Sequence, residues 1–228
     1  IASVVSIGSA NYRKLIAVGG VASGWVAETA GRPETGTETF VEVAPPMGEL
    51  YANPAASQAM LDDAMFDVEG WLAGEIGAEF ARAEGSAFVS GTGIGRPRGF
   101  LAYATAATDD TTRPFGTLQY VASGAAGAFA AASPQDKLID LVHALRAPYR
   151  QGASWVMNAS TLAKVRKMKD GQGQFLWAPS LSADTPATLL GYPVIEAEAM
   201  PDVGVDSLSI AFGNFKAGYL IAERSNTA

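Results

Sequence analysis

The feature that most constrains this 228-residue chain lies near its start, where a stretch reads as strand but carries little apolar surface of its own. After Gly19-Gly20 comes a run from Val21 to Thr29, then a turn-rich segment from Ala30 to Gly36, then a second run from Thr37 to Val43. Gly31, Arg32, Pro33, Glu34 and Gly36 supply the turn, so the pattern predicts a long two-stranded ribbon. Nine residues of strand, at roughly 3.3 Å each, reach about 30 Å. Trp25 and Phe40 are almost its only large apolar side chains, and isolated hairpins are marginal in water. The ribbon therefore needs another surface, such as a neighbouring subunit. Before it, Ser3 to Ile7 and Leu15 to Val18 are apolar runs broken by Ser9 to Lys14.

After Pro45-Pro46 the pattern turns helical, with a short stretch from Ser57 to Asp63 and a longer helix near Asp67 to Phe88. Val68, Leu72, Ile76, Phe80, Ala83 and Ala87 step by three or four residues and form one apolar stripe. Glu69, Glu75, Glu79 and Arg82 fall largely outside it. Gly70, Gly74 and Gly77 each cost about 1 kcal/mol relative to Ala in a helix interior, so this helix is expected to be held by packing on several sides. Residues from Tyr103 to Ala132 read as loop and short strand. Ser133-Pro134-Gln135-Asp136 is a helix start, with a hydroxyl cap, Pro at the first position and an acid in the first turn. Its expected buried stripe is Leu138, Leu141, Val142, Leu145 and Tyr149, with Pro148 as the limit. Trp155 to Met157 reads as a buried strand, and Asn158 caps a helix from Ala159 to Lys169 that Gly171 to Gly173 closes. Leu189 to Glu196, Leu208 to Phe212 and Gly218 to Glu223 are further strands. Helices and strands are segregated, which is the α+β class, in one large domain or two small ones.

Composition removes several functions. The chain has no cysteine, so disulfides, thiolate nucleophiles and cysteine-ligated zinc are excluded. Its formal charge of −7 argues against tight nucleic-acid binding, although not against enclosing nucleic acid. No run of about 18 apolar residues spans a membrane, and Ile1 to Leu15 lack the pattern of a signal peptide. His143 is the single histidine and has no Gly-x-Ser-x-Gly elbow to work with, so a surface or core histidine is the stronger reading. Gly91-Thr92-Gly93-Ile94-Gly95 follows a helix where a phosphate loop would precede one, and is read as a helix stop and tight turn. Asp62, Asp63 and Glu69 diverge on a helix and are read as solvated acids, not cation ligands. Lys164, Arg166, Lys167 and Lys169 are the one basic cluster. A solvated helix face is the first reading for it, an acidic partner the second and nucleic acid the third. No catalytic, cofactor or metal site emerges.

Several blocks carry a resemblance. They are Ser154-Trp155-Val156-Met157-Asn158-Ala159-Ser160-Thr161-Leu162, Lys167-Met168-Lys169-Asp170-Gly171, and Gln174-Phe175-Leu176-Trp177. Leu189-Leu190-Gly191-Tyr192-Pro193-Val194 with Met200-Pro201 follows, then Ile210-Ala211-Phe212-Gly213-Asn214-Phe215-Lys216 with Gly218-Tyr219. With Gly24-Trp25-Val26-Ala27-Glu28, Met60-Leu61-Asp62-Asp63-Ala64 and the run from Gly91 to Leu101, they resemble the major capsid proteins of tailed phages, the Hong-Kong-ninety-seven type. The likeness covers nearly the whole chain in the family's order.

The resemblance implies an N-terminal extended segment over 1–18 and an extended β-hairpin loop over 19–44. A peripheral domain follows over 45–98, with long strands and a spine helix cored by Val68, Leu72, Ile76 and Phe80. It implies an axial domain over 99–196 and return strands over 197–228. Trp25, Glu28, Arg32, Glu34, Glu38 and Phe40 would be the inter-subunit residues of the loop. The implied function is a shell subunit, not an enzyme, of a phage, prophage or gene-transfer-agent particle. It would assemble with itself into hexamers and pentamers around DNA, icosahedral or elongated. Its partners would be portal, scaffold or protease, and head-completion or decoration proteins, with assembly in the host cytoplasm and no cofactor or membrane. An encapsulin-like cellular compartment is the alternative, and an α+β hydrolase using His143 is a more distant one.

Two departures from the family pattern matter. Some members join subunits by a lysine–asparagine isopeptide bond, with the lysine near the loop tip. Residues from Thr29 to Glu38 contain Arg32 but no lysine, so no such link is expected through this loop. The chain also opens without Met and stops at Ala228 where the family usually continues, so removed, truncated or disordered flanking segments are expected.

Overall fold

The computed structural model describes residues 2–9, 11–20, 22–55, 67–169, 173–175, 177 and 188–224. The stretch from Ser57 to Asp63, with Asp62 and Asp63, lies outside them, as do Gly171 and Leu176 of the regions read above. The chain divides into two compact units, one of Ile1–Ser3 with Pro46–Leu220 and one of Val4–Pro45 with Ile221–Ala228.

In the smaller unit, β1 (Ser3–Ile7) pairs with β12 (Leu220–Arg224), the strand that ends the described chain. A second pair, antiparallel, joins β2 (Lys14–Ala17) to β3 (Phe40–Val43), with Leu15 opposite Glu42 and Ile16 opposite Val41. The ribbon differs from expectation here. Residues 22–29 form no strand, and the partner of the second run is the earlier segment Lys14–Ala17. The paired segment is the one that holds a β-branched cross-strand pair, Ile16 opposite Val41. Between 22 and 39 the glycines, Pro33 and small polar residues offer no such cross-strand pairs.

The larger unit is built around one strand. Helix α1 (Val68–Ser90) comes first, then the short pairs β4 (Thr105–Ala106) with β5 (Leu118–Gln119) and β6 (Gly124–Ala125) with β7 (Ala128–Phe129). Helices α2 (Pro134–Ala144) and α3 (Ala147–Arg150) lead to β8 (Ser154–Met157), followed by α4 (Ala159–Arg166). The strands β9 (Thr188–Leu189), β10 (Tyr192–Glu196) and β11 (Ile210–Gly213) and the short helix α5 (Phe215–Gly218) complete it. The central sheet has the order β11-β8-β10-β9, with β10 parallel to β8 and β11 antiparallel to it.

Every residue of β8 is buried, and its alternation sends neighbours to opposite faces. Trp155 and Met157 enter a core with Leu138 and Val142 of α2, Leu162 and Val165 of α4, and Leu189. Val156, between them, enters a second core with Val89 at the end of α1, Met200 and the partly buried Phe100 and Phe215. The indole of Trp155 donates to the Leu189 carbonyl at 2.9 Å and lies 4.5 Å from the ring of Phe212. Its one polar group is therefore satisfied in a dry site.

Local chemistry sets the helix ends. Asp67 caps α1 by accepting from the Gly70 amide at 3.0 Å, and a Cβ on Gly70 would collide with that carboxylate. Asn158 accepts from the Thr161 amide at 2.8 Å, and its amide donates to the Met200 carbonyl at 3.0 Å and to Asp202 at 2.9 Å. Hydrogen bonds from Ser160 and Asn158, helped by the charge of Lys164, hold the Asp202 carboxyl below its ordinary value. Asn158 thus fastens the start of α4 to the loop after β10.

Three expectations are corrected. Ser133 precedes α2 but sits at φ 46° and makes no capping bond, so Pro134 and the first-turn Asp136 set that start. Pro148 lies inside α3, and Tyr149 is exposed instead of completing the stripe. The run from Leu189 to Glu196 is a hairpin, because Leu190 and Gly191 both take positive φ and turn the chain between β9 and β10. Trp155→Ala is expected to lower stability by about 3–5 kcal/mol, measured by urea denaturation followed by far-UV circular dichroism.

Candidate functional site

The described residues hold little that could do chemistry. The side chain of His143 is exposed, and the described hydrogen bond at this residue is the one its backbone carbonyl accepts from Arg150 at 3.2 Å. Among the described residues no group of His, Asp and Glu could hold a metal ion, and no helix is long and apolar enough to cross a membrane. The glycine run after α1 is a stop. The Gly91 amide bonds the Ala87 carbonyl at 2.8 Å, and the Gly99 amide bonds the Gly91 carbonyl at 2.9 Å. Gly93 and Gly95 take positive φ, and Thr92 pairs with Arg98, which closes a tight loop without a phosphate cradle.

The basic cluster is split by its surroundings. Arg166 lies over the ring of Trp177 at 5.0 Å and Lys169 over Phe175 at 4.8 Å, while Lys164 and Lys167 are exposed. The helix geometry explains this, because Thr161, Leu162 and Val165 occupy the buried face of α4.

The remaining candidates are surfaces. In the ribbon, pairing continues from β2–β3 through the Val18 amide to the Thr39 carbonyl at 2.7 Å, and Arg13 bridges to Glu42 at 2.8 Å. Beyond that base the chain runs out to a turn, closed by the Ala30 amide on the Ala27 carbonyl at 3.1 Å. Trp25 is fully exposed and Phe40 is 60% exposed, with Leu15 and Val26 also open to solvent. Glu28, Arg32 and Glu34 are exposed and Glu38 is half-buried. The six residues singled out from the sequence thus share one segment, but no described contact joins them to each other. Fully burying one large apolar side chain contributes roughly 1.5–3 kcal/mol, which this segment does not gain within one chain.

Helix α1 is covered along one line. Val68 is buried and Leu72, Ile76, Phe80, Ala83 and Ala87 are half-buried, which is the stripe that the sequence periodicity marks. The expected packing on several sides is not found among the described residues. Nothing lies within 4 Å of a Cβ built on Gly74, Gly77 or Gly85, and Trp71 is 49% exposed. Those glycines leave an open helix face within the single chain.

Sequence reasoning missed the groups around the end of α1. Phe88, Phe100, Phe215 and Tyr219 meet edge to face, and the Tyr219 hydroxyl donates to the Arg98 carbonyl at 2.7 Å. Burial, followed by the proximity of Tyr103, pushes that phenol up to about 12. Arg82 forms a two-pronged bond to Glu79, and with Arg96 it flanks a cleft beside the last turns of the helix. The i, i+3 spacing of Glu79 and Arg82 was the only trace of this in the sequence. Asp110 gathers Arg113, three residues on, together with Arg146, which comes from a separate segment and leaves no local pattern.

Comparison with known proteins gives one family, described as the Phage capsid family, over residues 1–228. The chain is 49% identical to the capsid of a native GTA particle, covering 99% of this chain and 75% of that one with a TM-score of 0.90. The capsid of an empty GTA particle matches at 48% identity, with the same coverage and a TM-score of 0.88. A structure from Microbacterium phage Oxtober96 shares the fold at 12% identity, with 98% of this chain and 71% of that one covered and a TM-score of 0.62. No curated protein matches the chain.

Exposure of Trp25 carries an optical consequence. The emission lost on Trp25→Phe in dilute protein is expected to be that of a hydrated indole, red-shifted and fully open to acrylamide. The emission of Trp155 is expected to resist the same quencher.

Proposed function

The chain belongs to the phage capsid family, and we propose from that premise that it is the major capsid protein of a GTA or tailed-phage particle. Copies of it tile a closed shell around DNA through repeated heterologous contacts. The observation that carries this reading is the ribbon, an arm with a fully exposed tryptophan and no apolar cover of its own. Such an arm is stable when a neighbouring copy supplies the cover. The open face of α1, with three glycines that leave room for a close approach, supports the same reading. Likeness to GTA capsids over 99% of the chain supports a shell lining that encloses DNA without gripping it, in keeping with a formal charge of −7.

Finer parts of the reading rest on the same premise. Residues 19–44 act as the extended loop, 45–98 as the peripheral domain, 99–196 as the axial domain that points to the centre of a hexamer or pentamer, and 197–228 as the return strands. Portal, scaffold or protease, and head-completion or decoration proteins are its partners, and assembly takes place in the host cytoplasm. The protein's work is mechanical, and no observation favours a compartment shell or a hydrolase.

Replacing residues 19–38 by a two-residue Asn-Gly turn keeps the β2–β3 pair but removes the arm. Far-UV circular dichroism should then show a folded chain, while light scattering and negative-stain imaging show no shells or capsomers. Unimpaired assembly would refute the role of the arm. Because no lysine lies between Thr29 and Glu38, assembled particles boiled in detergent should run as single chains on a denaturing gel. A ladder of linked subunits would contradict this.

A further inference from the structure

No Asp or Glu lies between Asp140 and Asp170, whereas that stretch holds two arginines before α4 and three lysines and one arginine in or just after it. The first two arginines are occupied. Arg146 bridges to Asp110 at 2.9 Å, and Arg150 donates to the Leu145 and His143 carbonyls at 2.7 and 3.2 Å. Lys164, Arg166, Lys167 and Lys169 have no ion pair among the described residues. Arg166 and Lys169 lie over the rings of Trp177 and Phe175, which fixes their place without cancelling their charge. Asp202 is close enough to Lys164 for its carboxyl to feel that charge. In a chain of formal charge −7, the end of α4 is thus a local surplus of positive charge.

Thr161, Leu162 and Val165 face the core, so Lys164 and Lys167 share the exposed side of the helix, three residues apart. Such a pair sits about 5–6 Å apart at the Cβ atoms. The helix dipole makes it easier to gather cations at this end, but it leaves their charge in place. The residue type selects the occupant. Lysine is depleted at protein interfaces, where arginine with its planar fork is the residue that matches carboxylates. Three of the four cations here are lysines. A compact ammonium on a flexible stem suits a partner whose charges recur closely and need no fixed geometry. Duplex DNA, with one negative charge for about every 1.7 Å of its axis, is such a partner.

We propose that the C-terminal end of α4 is the place where the shell lining touches duplex DNA, with Lys164, Lys167 and Lys169 each contacting a backbone phosphate. This assignment rests on the reading of the chain as a shell subunit around DNA, and it names a contact that the reading leaves open. Arg166, half-buried against Trp177, adds to the field without reaching a phosphate. Three phosphate contacts give a slope of about −2.7 for log affinity against log salt, so a rise from about 50 to 200 mM weakens binding roughly 40-fold. A contact this shallow agrees with a lining that is acidic overall. Repulsion keeps DNA off the rest of the surface, and the patch, repeated in every copy, is where it rests. Phosphates carry no sequence information, so the contact is indifferent to base sequence.

The test measures binding of a short fluorescent DNA duplex to the full chain by anisotropy, below the protein concentration at which shells form, in salt from about 50 to 200 mM. Far-UV circular dichroism checks folding. Wild type should show the slope of about −2.7, alike for two unrelated duplex sequences. Lys164→Gln with Lys167→Gln should weaken binding roughly tenfold or more at about 50 mM salt and flatten the slope to about −0.9. Lys164→Arg with Lys167→Arg keeps the charge and should bind as wild type. Lys14→Gln with Lys137→Gln removes the same charge elsewhere and should also bind as wild type. An equal loss in that last variant would make binding a matter of net charge and overturn the proposal, as would a wild-type chain without salt-dependent binding. If the glutamine pair in α4 leaves DNA affinity unchanged, the proposal falls. A higher concentration for assembly in that variant, read by light scattering and negative-stain imaging, would then assign the patch to an acidic surface of another copy. Shells from a wild-type chain that binds no duplex would remove the contact and keep the shell reading. Duplex binding by a chain that never assembles would keep the contact and remove the shell reading.

Discussion

Burial of β8 on both faces is the constraint on which the larger unit depends. A strand with Trp155 and Met157 on one side and Val156 on the other has no solvated face, so it must lie between two layers of cover. One layer is α2 and α4, and the other is the end of α1 with Phe100, Phe215 and Met200. Neighbouring strands then seal its edges, β10 on one side and β11 on the other. The indole bond to the Leu189 carbonyl also ties in the β9–β10 hairpin, since a buried N–H without a partner would cost about 1–3 kcal/mol. The layout of the unit from α1 to β11 follows from satisfying that one strand.

The rest of the protein shows the opposite economy. Helix α1 buries Val68 and Val89 and half-buries a single stripe between them, although it is the longest described element. The ribbon covers even less of itself. A monomeric enzyme of this size would use such surfaces for its own core, because stability is a small difference between large terms. On the reading proposed above, this open apolar surface is left for copies of the same chain. Assembly is then driven by the same burial that stabilises the interior, applied between chains. Contacts spread in this way are individually small and become decisive through repetition around a closed shell.

Reading residues in order captured the parts of this architecture that have short-range causes. The stripe from Val68 to Ala87, the Asn158 cap, the helix stop at Gly91 and the buried run at Trp155 each depend on spacing or on a neighbour within four residues. The ribbon's exposure within one chain was also legible, because a long segment with two large apolar side chains cannot bury itself wherever it is placed. Its pairing was not. Strand partners are chosen by opposing side chains, and Ile16 meets Val41, 25 positions further along the chain. Ser133 looked like a cap because hydroxyls usually are, yet its backbone is left-handed and its side chain makes no capping bond.

The order of residues by itself determined the α+β class, the faces of the long helices, the absence of thiol chemistry and the presence of an arm with little apolar cover of its own. Periodicity, capping and composition are local or additive properties, so they survive being read one residue at a time. Tertiary structure alone decided the order β11-β8-β10-β9, the two-sided core around Val156 and Trp155, the latch from Asn158 to Asp202 and the cleft between Arg82 and Arg96. Each of these joins residues well separated along the chain. Their energies arise from packing and charge in three dimensions, which no local pattern encodes.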